Sequence, residues 1–264
     1  MRTIIHLSDL HFGRNEPSVI KAIIKTVKAV KPDVLIVSGD LTQRAKAEEF
    51  KQAKDFLNGF NIKKIVIPGN HDIPLFNPLK RLVNPFKNYK KYISKNLEPV
   101  YFDKELRIIG VNTARKTKIT RGKISSEQAQ LIKEYFADAG DAVRIVVAHH
   151  PFDLPEGFSS RKMVIGAKNV IKEIVDAKVD LILGGHMHIS HTGSIADRYK
   201  VDGKAALVVQ ASTVSKRSRG EVPTFNVIKT DLKKITLTRY VFKQKEFKKD
   251  LEEVFQLEPA QWVK

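Results

Sequence analysis

The feature that most constrains this chain is a rhythm: short β-branched, apolar runs alternate with helical apolar patterns, and the runs stop at Asp, Asn or His. Residues 3–7, 33–37, 64–67, 107–111, 143–148 and 179–183 read as strands. Between them, Val19, Ile20, Ile23, Ile24, Val27 and Val30 fall on one helical face. A second helix covers roughly residues 45–57, with Gly59 as its stop. Ser125 and Gln128 have the spacing of a capping box that opens a helix to about residue 136, and another helix lies near residues 167–177. Such alternation marks βαβ units and a largely parallel sheet. In sheets of that kind the carboxyl ends of the strands converge on one crevice, where ligands bind. The runs end at Asp9-Leu10-His11, Gly39-Asp40, Gly69-Asn70-His71-Asp72, His149-His150 and Gly185-His186-Met187-His188. Residues far apart in sequence are thereby delivered to one place.

The chain has no cysteine, so a metal there must be held by nitrogen and oxygen ligands. Each polar block alone is an ordinary turn, since Asp and Gly commonly close strands. In this order, from Asp9 to His188, they resemble the calcineurin-like metallophosphoesterase superfamily, whose blocks are D-x-H, G-D, G-N-H-[DE], a strand-terminal H, and G-H-x-H. The resemblance extends through Val111-Asn112-Thr113, Gly122 and Gln128. It implies an α/β fold, a four-layer α-β-β-α sandwich with two mixed sheets.

The same resemblance implies a ligand set. Asp9, His11 and His188 would hold one metal, Asn70, His149 and His186 the other, and Asp40 would bridge them. The cofactors would be two divalent or mixed-valence transition metal ions: Mn, Fe, Zn, Co or Ni. A hydroxide held between them would attack the phosphorus. His71 would be the catalytic group that protonates the leaving alkoxide, and Asp72 would orient its imidazole. His150 is expected to back the ligands or face the substrate. Arg14 and Arg217, in polar loops, are the basic residues best placed to touch substrate.

Residues 206–209, 225–229 and 235–242 lack intervening helices and suggest an antiparallel portion forming a second sheet. One phosphoesterase domain is expected over residues 1–242, followed by a charged tail, 243–264, as a peripheral helix or partly disordered segment. Residues 73–97, punctuated by Pro74, Pro78 and Pro85, look like an insertion over the site.

Forty-seven Lys and Arg against 29 Asp and Glu give a net charge of +18, which favours anionic partners without naming one. No apolar run suits a leader or a membrane span, so the expectation is a cytoplasmic protein with no membrane partner. Protein phosphatases of the superfamily carry G-D-x-V-D-R-G and R-G-N-H-E. This chain has Gly39-Asp40-Leu41-Thr42-Gln43 and Pro68-Gly69-Asn70-His71-Asp72, closer to bacterial class III cyclic-nucleotide phosphodiesterases. The resemblance therefore implies a phosphodiesterase acting on cyclic nucleotides or other small phosphodiesters. A nuclease acting on DNA or RNA is the alternative that the charge favours. A non-catalytic scaffold of the same fold would ordinarily have lost some of these residues.

Overall fold

The computed structural model describes residues 1–201, 204–215, 220–258 and 261–264. The chain opens with β1 (Arg2–Leu7), α1 (Pro17–Val30), β2 (Val34–Val37), α2 (Ala47–Asn58) and β3 (Lys63–Val66). Proline at the start of α1 occupies a position whose N–H has no helical partner. The helix ends at Lys31 in the left-handed conformation, its amide bonded to the Val27 carbonyl. Two short helices follow, α3 (Pro78–Val83) and α4 (Lys87–Tyr92). Then come β4 (Val100–Phe102), β5 (Leu106–Val111), α5 (Ser126–Phe136), β6 (Val143–Ala148), α6 (Ala167–Asp176) and β7 (Leu181–Gly184). The Ser125 hydroxyl accepts the Gln128 amide at the start of α5, the capping box that the spacing predicts. The remainder is β8 (His191–Ser194), α7 (Ile195–Arg198), β9 (Leu207–Gln210), β10 (Thr224–Asp231), β11 (Lys234–Lys243), β12 (Glu246–Glu258) and β13 (Gln261–Val263).

Among the described residues the strands form two sheets, ordered β13-β12-β11-β10-β1-β2-β3 and β4-β5-β6-β7-β9-β8. In the first, β1, β2 and β3 are parallel and β10 runs antiparallel beside β1. In the second, β5, β6, β7 and β9 are parallel, with β4 and β8 antiparallel at the edges. Alternation along each strand sets the layers. Ile4, Ile36 and Ile65 meet Ile108, Ile145 and Leu183 between the sheets. Ile5, Leu35 and Val37 instead face Val19, Ile23 and Phe50 of α1 and α2. On the far side Ile109, Val146 and Ile182 pack under Ile132, Val170 and Ile174 of α5 and α6. Both strand faces are buried, which is why these strands read as unbroken apolar runs. The result is the four-layer α-β-β-α sandwich with two mixed sheets.

Two expectations are corrected. The late strands do not build a separate antiparallel sheet: β9 joins the second sheet parallel to β7, while β10 and β11 return to extend the first. Local periodicity reveals a strand but not its partner, and here the chain crosses between sheets twice. Nor do the described residues after 242 form a helix. β12 pairs with β11 from Lys243↔Glu246 to Lys234↔Gln256, and β13 pairs with β12. Its charged side chains face solvent while Phe247, Phe255 and Trp262 are buried. Backbone pairing along a hairpin arm holds such a segment whatever its surface charge.

Residues 73–97 are anchored rather than draped. The fully buried Tyr89 donates its hydroxyl to the Val66 carbonyl at 2.8 Å, and Asn88 donates to the Ala45 carbonyl at 2.9 Å. Arg81, also buried, donates to the carbonyls of Pro74, Arg115, Lys116 and Lys118. Tyr89→Phe keeps the ring but leaves a buried carbonyl without its donor, a cost of about 1–2 kcal/mol. Urea unfolding should show that loss; an unchanged midpoint would mean that the bond does not secure α4.

Candidate metal centre

Several polar residues at the strand ends share an uncommon backbone. Asp9 (φ 54°), His11 (45°), Asp40 (52°), His186 (72°) and His188 (57°) are all left-handed. For residues bearing a Cβ this costs roughly 1–2 kcal/mol each, and such strain gathers at functional sites. It turns each chain sharply out of its strand. The turns are held by main-chain bonds: the Asp9 amide to the Gly39 carbonyl and the His11 amide to the Asp40 carbonyl, both 3.0 Å. Two glycines allow the loops to close. A Cβ on Gly69 would run into the Asp40 carboxylate and amide, and one on Gly185 into the Ser8 hydroxyl and Asp9 carboxylate.

The first donor cluster is Asp9, His11, Asp40 and His188, all buried. His11 Nδ1 lies 3.2 Å from the Thr42 carbonyl oxygen, to which it can only donate. In the neutral ring Nε2 then carries the lone pair. It points at His188 Nε2, 3.1 Å away, at Asp9 Oδ1, 3.5 Å, and at Asp40 Oδ2, 3.8 Å. Asp9 Oδ1 is itself 3.0 Å from His188 Nε2, and it is buried without a hydrogen-bond partner. Its other oxygen accepts from the Ser8 hydroxyl and the His186 amide.

The second cluster is built the same way. His149 Nδ1 donates to the Ser38 carbonyl at 2.8 Å, which turns Nε2 toward Asn70 Oδ1 at 3.2 Å and Asp40 Oδ2 at 3.4 Å. Asn70 Oδ1 is also 2.9 Å from His186 Nδ1. His150 joins His149 and His186 in this cluster, with its Nδ1 on the Thr113 hydroxyl at 2.8 Å and its Nε2 buried and unpartnered. Acceptors aimed at one another in a buried space suit a cation, and imidazole with carboxylate and amide oxygen is a donor set for transition metals. Asp40 touches both clusters.

The electrostatics agree. Burial opposes ionisation of Asp9 and Asp40, yet the surrounding imidazoles hold both carboxyls well below the usual carboxylate range. Burial likewise opposes protonation of His149, but Asp40 and Asp9 carry it up to about 9. That proton supplies positive charge where the geometry calls for a cation. Burial, then the neighbouring His149, push His186 down to about 3, and burial with His186 and His149 lowers His150 as well. Two ionised carboxylates stand ready to ligate, and a cation at the second cluster would take the place of the His149 proton.

His71 stands at the edge, its ring edge-on to His11 with centroids 4.9 Å apart. Its amide donates to Asp40 Oδ1 at 2.8 Å and its Nδ1 to the Gln43 carbonyl at 3.0 Å. The expected orienting role of Asp72 is therefore corrected. Asp72 accepts from the amides of Leu41, Thr42 and Gly69 and from the Thr42 hydroxyl, bracing two ligand loops, and it is the Gln43 carbonyl that orients the ring. Burial and Asp40 push the Asp72 carboxyl up to about 7.

The remaining residues sort plainly. Arg14 is exposed, its amide on the His11 carbonyl. Arg217 lies outside the described residues. His6 is buried with Nε2 2.9 Å from the Ser38 hydroxyl, behind the carbonyl that orients His149. His191 is engaged with Asp153 at 2.8 Å. The carbonyls of Ser38, Thr42 and Gln43 were invisible in the sequence, because a main-chain oxygen carries no residue signature. Thr113, inside a block that the resemblance includes, was the findable exception.

A model of the calcineurin-like phosphoesterase family matches residues 2–190. A probable cyclic nucleotide phosphodiesterase of Vesicomyosocius okutanii subsp. Calyptogena okutanii is 25% identical over 195 residues, 70% of this chain and 78% of that protein. A probable glycerophosphodiester phosphodiesterase of Arcobacter nitrofigilis is 28% identical over 160 residues, 56% of each chain. Among solved structures, a dimetal phosphatase from Danio rerio superposes with a TM-score of 0.66 at 10% identity, covering 96% of this chain and 98% of that one. A purple acid phosphatase from yellow lupin gives 0.71 at 12% identity, covering 96% of this chain, which spans about half (53%) of the lupin protein. At such identities the structural likeness speaks for the fold alone. The matched length and the blocks within it make the chain a member of the calcineurin-like phosphoesterase family, a metal-dependent phosphoesterase.

Proposed function

We propose that the chain hydrolyses small phosphodiesters, cyclic nucleotides among them, at a centre of two metal ions. Asp9, His11 and His188 hold one ion, Asn70, His149 and His186 the other, and Asp40 is shared. The observation that carries this reading is the pair of inward-facing donor clusters on either side of one carboxylate. The preference for diesters is supported by relatives described as probable cyclic nucleotide and glycerophosphodiester phosphodiesterases. Two such ions, Mn, Fe, Zn, Co or Ni, would supply phosphate neutralisation and water of lowered pKa.

The chain's own contribution to proton movement falls to His71. With Nδ1–H fixed on the Gln43 carbonyl, the exchangeable proton is on Nε2. In the imidazolium form that proton passes to the departing alkoxide, and the ring is left neutral with its Nδ1–H bond intact. Asp40, accepting the His71 amide, fixes the ring's distance from the ligand it shares.

Three outcomes are expected. Asp40→Asn should lower bound metal at both positions, read as metal per chain by elemental analysis; undiminished content would show that the carboxylate is not shared. His71→Ala should slow esters with poor leaving groups by roughly 10²–10⁴ and aryl esters far less, because phenolates need no proton. Equal losses across a leaving-group series would remove the general-acid role. Chelation should abolish turnover and Mn or a similar ion restore it, so a metal-free preparation of full activity would contradict the two-metal centre.

A further inference from the structure

Two segments beside the centre combine charge with exposed apolar surface. Residues 73–97 carry six Lys or Arg and no acidic residue, and residues 115–123 carry five and none. Arg81 binds them together through its bonds to the carbonyls of 115, 116 and 118, and Lys116 Nζ caps the Leu82 carbonyl at 3.1 Å. Five of their apolar side chains are turned outward: Phe76 is 76% exposed, Leu79 73%, Leu82 52%, Val83 76% and Ile119 55%. Leu79, Leu82 and Val83 have the i, i+3, i+4 spacing of one helical face. Lys80, Lys87, Lys118 and Arg121 are exposed on the same two segments.

Both segments adjoin the catalytic residues. Arg44 lies over the Phe76 ring at 4.7 Å, one residue from the Gln43 carbonyl that orients His71. A Cβ on Gly122 would strike the His150 ring, so the basic loop lies against the second cluster. A cavity of about 460 Å³ between α3 and Asp72 is walled by Pro74, Leu79, Val83 and Pro85, with Lys80 and Lys87 in its lining.

We propose that α3 and the 115–123 loop form a docking face for an anionic lipid bilayer, bringing the adjacent centre to phosphoesters presented at that surface. The docking stands on the surface itself; the second clause rests on the phosphodiesterase reading above. Nucleic acid would satisfy the lysines but offers nothing to exposed leucine, valine and isoleucine, since strand-binding faces use aromatic platforms. An anionic interface satisfies both, with acyl chains for the apolar face and headgroups for the lysines. No described helix is long and apolar enough to cross a membrane, so the contact proposed is one at the surface, beyond the sequence-based expectation of no membrane partner.

The test is cosedimentation of metal-loaded, full-length protein with vesicles of phosphatidylcholine, with or without phosphatidylglycerol. Anionic vesicles should retain the protein and neutral ones should not. Leu79→Glu with Val83→Glu should weaken retention by at least about tenfold, as should Lys80→Glu with Lys87→Glu. Ile119→Glu serves should either pair fail to fold, judged by circular dichroism. Wild-type protein left in the supernatant would overturn the proposal. So would apolar variants retained like wild type while a duplex oligonucleotide binds both equally, the mark of a nucleic-acid surface. Turnover of a soluble aryl phosphodiester by the same preparation reports separately on the hydrolase reading.

Discussion

The structure depends on keeping two carboxylates ionised in a place closed to water. Asp9 and Asp40 are 0% and 1% exposed, and taking an isolated anion out of solvent costs several kcal/mol even after relaxation. Hydrogen bonds offset part of this: Asp9 Oδ2 accepts a hydroxyl and an amide, and Asp40 Oδ1 accepts the His71 amide. The remaining oxygens, Asp9 Oδ1 and Asp40 Oδ2, face Nε2 of His11 and of His149, rings whose Nδ1 protons are committed to the carbonyls of Thr42 and Ser38. The left-handed backbone at five of these residues adds strain to electrostatic cost. Such a site persists only where the surrounding structure leaves no alternative, and strands buried on both faces supply that rigidity.

The clusters are also where the two sheets meet. Asp9, His11, Asp40 and Asn70 follow β1, β2 and β3 of the first sheet, whereas His149, His186 and His188 follow β6 and β7 of the second. Each cluster takes donors from both. A cation in either one would therefore tie sheet to sheet, adding to the interface already formed by Ile4, Ile36, Ile108 and Ile145. Ligation and folding are coupled in such an arrangement, because the unfolded chain has no preformed site. It also explains why Asp72, a loop brace rather than a partner of His71, is buried so deeply: it fastens the Leu41, Thr42 and Gly69 amides that carry ligands on adjacent strand ends.

Much of this was legible in the sequence, for physical reasons. Strands buried on both faces are continuous apolar runs, and each left-handed exit needs a compact polar side chain or a nearby glycine, so runs such as Val34–Val37 followed by Gly39-Asp40 stand out. What was not legible lay beyond the reach of local pattern. The sheet to which β9 or β10 belongs is decided by long-range pairing. The strand character of β12 is hidden because its middle is charged on both faces and is held by β11 rather than by a core. The partner of His71 escaped because sequence adjacency suggested a contact with Asp72, whereas the Asp72 carboxylate is taken up by the Leu41, Thr42 and Gly69 amides and the ring by the Gln43 carbonyl.

The placement of the charge was hidden for a related reason. The lysines look scattered along the chain, which reads as an evenly solvated surface. The fold undoes that scatter. Arg81 reaches from one lysine-rich segment to the backbone of another some 35 residues later, and the two become one face beside the metal centre. Apolar side chains that a core would have absorbed remain outside on this face, because Arg81 takes the inward side of α3 and spends its donors on carbonyls. A helix that turns its arginine inward and its leucines outward inverts the usual order of a surface helix. The proposed bilayer contact rests on this inversion, since acyl chains would cover those leucines and the lysines around them suit a negative surface.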